Sequence, residues 1–201
     1  MNRYPVSRLV LDPERFEDDE HELMASRGMG VIYTKTSDGK KLRDLVTPET
    51  RERLLNQYYR PHHVCLTEAV SSILSMHGEA LVVDCHSFPS TAQPYEIDQR
   101  KERPDICLGT DSFHTPDSIT ELLRAEFIAK GFTVQINRPF SGALVPMEYY
   151  GKEKAVSAIM IEVNRKLYME ERTGCRLSDF ERVKQSISSI VAKAILENLT
   201  T

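Results

Sequence analysis

Three apolar stretches of the sequence lead into side chains that could take part in catalysis. His86 ends the first stretch, Asn137 and Arg138 end the second, and Glu162 lies near the end of the third, IMIEVN. An imidazole can hold a metal ion, a glutamate can work as general base and acid, and an arginine can bind a carboxylate or an oxyanion. Together these groups could carry out metal-assisted hydrolysis of an amide.

Glu162 has the strongest physical case among these residues. It sits inside an apolar run, where an unpaired carboxylate costs several kcal/mol or has its pKa raised by up to ~3–5 units. Something must therefore compensate the charge. A lysine or arginine with a purely structural role would do so, as would a metal-bound water or an arginine that also binds substrate.

Asp84 and His86 lie in ALVVDCHSFPS, residues 80–90, a predicted buried strand that runs into a polar turn. Side chains alternate along a strand, so both should point to the same side, where Asp84 could orient the imidazole. Cys85 should point to the other side, which argues against a Cys85/His86 pair. An ordinary polar turn at a strand end is the alternative interpretation.

The elements that would position these residues alternate between strands and helices, which predicts an α/β domain with a mostly parallel or mixed central sheet flanked by helices. Ligands of open parallel sheets bind beyond the carboxyl ends of the strands, so the three groups are expected along one rim. The predicted strands are 7–12, 28–36, 81–87, 106–108, 132–137 and 156–164. The predicted helices run from Thr47-Pro48 to about Arg60, from His62 to His77, from Thr115-Pro116 to Gly131, and from Ser178 onward.

Length, net charge and cysteine content limit the classes of protein to which the chain can belong. The length of 201 residues suits one domain, taken as 1–201, and the net charge of −4 without a basic stripe argues against a nucleic-acid partner. No apolar run is long enough to span a membrane, and no apolar leader begins the chain. Four scattered cysteines without a CxxC pattern indicate reduced thiols and a cytoplasmic protein.

Other candidates carry a weaker signal. Arg8, Asp12 and Arg15 follow the first predicted strand and could reach the same rim. His62 and His63 are adjacent on a helix and do not share a face, so they are a poor metal pair and more simply belong to the helix start. The sequence lacks the G-x-S-x-G elbow of serine hydrolases and the glycine-rich loops that bind phosphate.

The chain resembles the N-formylglutamate amidohydrolase family, which are zinc-dependent amide hydrolases on the phosphorylase/hydrolase-like α/β fold shared with zinc carboxypeptidases. The resemblance covers nearly the whole chain, and its most specific parts are the D-x-H-S block and the block from Glu162 to Met169, occurring in this order. The matching blocks are SRLVLDPER (7–15), YYRPHH (58–63), LVVDCHS (81–87), ERPDICLGT (102–110), INRPFSGALVPMEYYG (136–151) and MIEVNRKLYMEE (160–171).

The resemblance implies a role for each matching residue. His86 would be a zinc ligand, Glu162 the catalytic carboxylate, and a small N-acyl amino acid the substrate. Asn137 and Arg138 would bind the substrate carboxylate or oxyanion, and Arg8 and Arg15 would line the pocket.

Family members also carry a further N-terminal block with the other two zinc ligands, so the chain is expected to be N-terminally shortened. The substrate loop also departs from the family pattern, with Ser141-Gly142-Ala143 and Met147 to Gly151 in place of Gly-Gly and Arg-His-Tyr-Gly.

Three functions are compatible with these features. The first is metal-dependent hydrolysis of an N-acyl amino acid, most simply N-formylglutamate. The second is a non-catalytic relative that acts as a binding or regulatory module. The third is a deacylase or peptidase of different specificity.

Overall fold

A computed structural model of the chain describes residues 3–198. The chain forms two compact units. Unit 1 comprises the chain up to Ser72 together with Gln93–Glu96, and unit 2 comprises Ile73–Ala92 together with the chain from Ile97 onward. The prediction of one domain over 1–201 stays a prediction.

Unit 1 is built from turns and one long helical stretch. The predicted strands at 7–12 and 28–36 are wrong, because neither segment forms a strand and the second contributes only an isolated bridge between Lys35 and Lys41. Leu11, Val31 and Ile32 of these segments are nevertheless buried in one cluster. The apolar pattern there reflects burial of side chains on irregular backbone. Hydrogen bonds such as that from Asp12 N–H to Val31 O (2.9 Å) hold this backbone in place.

The helical stretch starts as predicted at Thr47, whose hydroxyl accepts a hydrogen bond from Thr50 N–H, and runs through α1, Pro48–Leu54. The predicted interruption at Pro61 is wrong. α1 continues into a π-helical turn, Leu55–Tyr59, and then into α2, Arg60–His77. Pro61 is tolerated because it falls in the first turn after this wider turn, where a missing N–H costs little.

Within the described part of unit 2, four strands form one mixed sheet: β1 (Ala80–Phe88), β2 (Ile106–Gly109), β3 (Val134–Ile136) and β4 (Val156–Asn164). The order across the sheet is β1-β4-β2-β3. β1 and β4 are parallel, β2 and β3 are parallel, and β2 runs antiparallel to β4. The predicted α/β class with a mixed central sheet is confirmed.

Helices α3 (Asp117–Ala129) and α4 (Phe180–Asn198) supply the apolar partners of one sheet face. Thr115 does not cap α3, because its hydroxyl donates to Ala158 O (2.6 Å). α4 begins two residues beyond the predicted cap at Ser178. The main side chains of this core are Ile106, Leu108, Ile159, Ile161 and Val163 from the strands and Leu123, Phe127, Val183, Ile190 and Ala194 from the helices.

The alternation of side chains places the chemically active groups of β1 and β4 on the opposite face of the sheet. Leu81 and Val83 pack toward the helices, so Asp84 and His86 point away from them. Among residues 3–198, none of the helices combines the length and the apolar character that crossing a membrane requires.

Candidate active site

Four side chains form a continuous row across the polar face of the sheet. His86 on β1 is in register with Glu162 on β4, Glu162 is opposite Cys107 on β2, and Cys107 is in register with Gln135 on β3. Residues in register on neighbouring strands project to the same face, with strands about 4.8 Å apart. We call His86, Glu162, Cys107 and Gln135 the polar row.

The direction of β2 and β3 corrects the expectation that all three groups follow strand ends at one rim. β1 and β4 are parallel, so His86 and Glu162 do lie near the same edge of the sheet. β2 is antiparallel to β4, and β3 is parallel to β2, so Asn137 and Arg138 follow a strand that ends at the opposite edge. The prediction that Asn137 and Arg138 lie at the same rim as His86 and Glu162 is therefore wrong.

Arg138 nevertheless reaches the polar row through its side chain. Its Nη1 donates to Gln135 Oε1 (2.8 Å), its Nε to Asp98 Oδ2 (3.0 Å) and its Nη2 to Glu102 O (2.9 Å). Asp98 is ionised, because hydrogen bonds from Arg100 and Arg138 lower the pKa of its carboxyl. The guanidinium thus lies at the β3 end of the row and already holds one carboxylate.

Asp84 and His86 are close neighbours on the same face. Nε2 of His86 lies 2.8 Å from Oδ1 of Asp84, and their side chains are 18% and 12% exposed. A nitrogen and a carboxylate oxygen are both donor types that bind zinc, and a catalytic zinc typically has three protein ligands. His86 and Asp84 could therefore supply two of the three protein ligands of a catalytic zinc site.

Glu162 is buried, with 8% of its surface exposed, and its neighbour Cys107 is fully buried. Burial raises the pKa of the Cys107 thiol to about 11, and the Glu162 carboxylate acts in the same direction. The thiol donates to Phe140 O (3.2 Å). Cys107 is therefore a neutral group beside the carboxylate and has none of the thiolate character that a nucleophile needs.

Asn137 holds the far end of the β2–β3 pair. Its backbone adopts a left-handed conformation, with φ of 54°. Its side-chain amide donates to Thr110 Oγ1 (2.7 Å) and accepts from Thr110 N–H (2.8 Å). These two bonds give Asn137 a structural function, and its role toward a substrate stays a prediction.

Arg8 and Arg15 lie in unit 1, where both approach Asp12. The Arg8 guanidinium is 3.8 Å from Asp12 Oδ1, and Arg15 Nε is 3.4 Å from Asp12 Oδ2. Asp12 is fully buried and also accepts a hydrogen bond from the Tyr33 hydroxyl. The structure therefore brings these two arginines together around one carboxylate, and a role in a substrate pocket stays a prediction.

Sequence reasoning missed three residues of this region: Cys107, Gln135 and Arg103. Arg103 is 9% exposed, lies over the rings of Phe88 and Phe140 and donates to Pro89 O (2.9 Å). Alternation along ICLG would have placed Cys107 on the polar face. No pattern in the sequence indicates the burial of Arg103, which depends on rings from distant segments.

Comparison with known proteins gives the family. A family model described as N-formylglutamate amidohydrolase matches residues 3–169. The chain belongs to the N-formylglutamate amidohydrolase family. The matched range includes the polar row, Asp84 and Arg138, and it ends before α4. The resemblance carried by the sequence blocks is thereby confirmed.

Individual relatives agree with the family. An N-formylglutamate deformylase from Pseudomonas putida is 31% identical over 170 residues, which are 82% of this chain and 62% of the relative. The chain thus spans less than two thirds of the length of that curated relative.

Two solved structures share the fold. An N-formylglutamate amidohydrolase from Ralstonia eutropha JMP134 superposes with a TM-score of 0.81 at 26% identity, covering 96% of this chain and 75% of that one. A gene product from Agrobacterium tumefaciens, at a TM-score of 0.64 and 16% identity, covers 95% of this chain and 68% of its own. At that identity the second likeness is evidence of the fold alone.

Proposed function

We propose that the chain hydrolyses the amide bond of an N-formyl amino acid, N-formylglutamate in the simplest case, in a metal-dependent reaction. The family and the activities for which its relatives are named support this reaction class. The products would be formate and the free amino acid.

The observation that carries the proposal is the pairing of His86 with Glu162. The two are register partners on adjacent parallel strands, and both side chains project to the polar face. A metal-binding imidazole beside a buried carboxylate can hydrolyse an unactivated amide, because the metal polarises the carbonyl and the carboxylate can move protons where charge develops.

The proposed cofactor is zinc, which His86 would hold, with Asp84 placed to orient the imidazole or to contribute an oxygen. When bound, zinc polarises a carbonyl group and lowers the pKa of water. The remaining chemistry falls to the residues of this chain.

Glu162 would act as general base toward the attacking water and then as general acid toward the leaving nitrogen. Its burial limits competing contacts with bulk water and keeps the carboxylate oriented. The neutral Cys107 thiol beside it adds no charge to compete for the proton.

The substrate carboxylate would be bound by Arg138, with Asn137 as the further predicted contact in unit 2. Arg138 binds the Asp98 carboxylate at 3.0 Å through Nε, so a substrate carboxylate would share the guanidinium with Asp98 or replace it. A carboxylate of a small ligand has the same charge and planar shape.

The test is hydrolysis of N-formylglutamate by the purified chain, measured as release of formate, with zinc content measured on the same sample. The Glu162→Gln variant should lose about 10²–10⁴-fold in kcat, the usual contribution of a general acid–base group. Glu126→Gln is the matched control, since Glu126 lies on α3 and pairs with Lys193 (2.7 Å).

Equal activity of the two variants would contradict the role of Glu162. A chain that binds zinc and N-formylglutamate without releasing formate would instead support the alternative of a binding module.

A further inference from the structure

The last residues of β1, directly after His86, are held by a side chain that follows Glu162. Arg165 donates from Nε to Ser87 Oγ (3.2 Å) and from Nη2 to Ser87 O (3.0 Å). Ser87 is the residue directly after His86, and Arg165 is three residues after Glu162. One guanidinium therefore links the carboxyl ends of the two strands that carry the proposed zinc ligand and the proposed base.

The backbone from which Arg165 projects is itself fixed. Arg165 begins a short 3-10 turn, Arg165–Leu167, directly after β4. Asn164 is fully buried, its Oδ1 accepts from Lys166 N–H (3.2 Å) and its Nδ2 donates to Pro104 O (2.9 Å). The direction of the Arg165 side chain is thus set by a capped turn.

A second contact holds the segment that follows β1. Glu171 accepts from Ser90 N–H at Oε1 (2.7 Å) and from Ser90 Oγ at Oε2 (2.7 Å). The segment that carries Glu171 is held by an isolated bridge between Met169 and Arg176. Residues 87 and 90 are therefore both hydrogen-bonded to the segment that follows β4.

Such contacts matter because β1 is an edge strand of the described sheet, paired on one side by β4. The end of an edge strand has fewer backbone partners to restrain it than a central strand. A guanidinium that binds both the carbonyl and the hydroxyl of Ser87 restricts the backbone next to His86, and with it the direction of the imidazole.

We propose that Arg165 is a positioning residue that fixes His86 relative to Glu162, with Glu171 holding the segment that follows β1. The inference rests on the proposed function for its catalytic consequence. Contacts behind a metal ligand change metal affinity or activity by about 10–100-fold when they are removed. Arg165 acts through Ser87 and needs no contact with substrate.

The test compares Arg165→Met with Arg182→Met, the same change at an arginine on α4 that pairs with Asp179 (2.7 Å). Arg165→Met should lower kcat and zinc affinity about 10-fold each, with KM changed less than about twofold, because substrate contacts are untouched. Arg165→Lys can keep one of the two bonds and should lie between wild type and Arg165→Met. Zinc affinity is measured by competition with a chromophoric chelator.

A readout without metal or substrate separates this inference from the proposed function. In the metal-free full chain labelled with ¹⁵N-histidine, the His86 imidazole resonances are assigned by comparison with His86→Gln. They should shift or broaden in Arg165→Met and stay unchanged in Arg182→Met. If the wild type neither binds zinc nor hydrolyses substrate, the proposed function fails while this shift still supports the positioning role.

Ser87→Ala tests the same contact independently if the Arg165→Met variant misfolds, since it removes only the hydroxyl that Arg165 binds. It should reduce zinc affinity less than Arg165→Met does, and it should add little when combined with that variant, because the shared contact is already lost. Unchanged His86 resonances together with unchanged zinc affinity in Arg165→Met would overturn the inference.

Discussion

His86 and Glu162 are register partners on two adjacent parallel strands, although residues 89–155 separate those strands in the chain. This pairing fixes their separation through the backbone ladder, which is stiffer than a contact between two loops. The first prediction follows from it.

Replacing His86 with Gln should remove most of the stabilisation that added zinc gives, since the imidazole is the proposed ligand. The measurement is the shift in Tm on adding zinc, compared between wild type and variant. His77→Gln, an exposed histidine at the end of α2, serves as the control. An equal zinc-induced shift in His86→Gln and wild type would contradict the assignment.

The Cys107 thiol should make stability fall at alkaline pH. Burial raises the pKa of Cys107 from 9.0 to about 11, so the folded chain holds this proton more tightly than the unfolded chain does. The stability that the protonated Cys107 thiol contributes is therefore complete below pH 9 and is lost as the pH rises towards 11.

The measurement for Cys107 is the free energy of unfolding of wild type and Cys107→Ala across this pH range. Wild type should lose stability relative to the variant as the pH rises, because all other titrating groups are common to both chains. Parallel curves would contradict the prediction.

Replacing His114 with Phe should destabilise unit 2. The imidazole is 1% exposed, Nδ1 lies 2.7 Å from Val156 O, and Nε2 accepts from Gly151 N–H (2.8 Å). A phenyl ring keeps the size and loses both bonds, at a cost of roughly 1–3 kcal/mol for the buried Val156 carbonyl and less for the N–H of the exposed Gly151. Denaturant unfolding measures the loss, and His77→Phe, at an exposed site, should be close to wild type.

Replacing Gly109 with Ala should displace the segment that passes over the end of β2. A Cβ there would overlap with the end of the Met160 side chain and with the Gly142 carbonyl oxygen. The methionine can move, but the carbonyl belongs to backbone, so a loss of about 1–3 kcal/mol is expected.

Gly131→Ala is the comparison for Gly109→Ala, since Gly131 has a positive φ of 86° and open space around its Cα. It should lose about 1–2 kcal/mol, from the backbone conformation alone. Unfolding free energies that rank the two variants in the opposite order would contradict the steric argument.

The parts of the fold that the sequence predicted well are those set by local periodicity. β4 spans 156–164 as predicted, and the apolar stripe of α3, with Ile119, Leu123 and Phe127, is buried. Both patterns are complete within one element, so no knowledge of the rest of the chain is needed to interpret them.

Strand direction could not be predicted in this way. The segment between β1 and β2 contains no helix among its described residues, and β2 enters the sheet antiparallel to β4. The direction of a strand depends on the end of the sheet from which the chain enters it, and this is a property of the whole sheet. For the same reason Cys107 and Gln135 were missed, since only register places Cys107 beside Glu162 and Gln135 beside Cys107.

The failures in unit 1 have a different cause. The residues around Leu11 and Val31 are apolar because they are buried, and burial was mistaken for strand formation. In irregular backbone the hydrogen bonds follow no period, so the sequence carries no signal that separates the two cases.

The position of β4 in the sheet also has a consequence for biosynthesis. β4 lies between β1 and β2, both of which leave the ribosome before it. Until residue 164 has emerged, β1 lacks its strand partner and β2 can pair only with β3, so open strand edges invite mispairing with other chains. The two halves of the polar row are therefore joined late in translation, and ribosome-bound nascent chains that stop short of β4 should lack the pairing of His86 with Glu162.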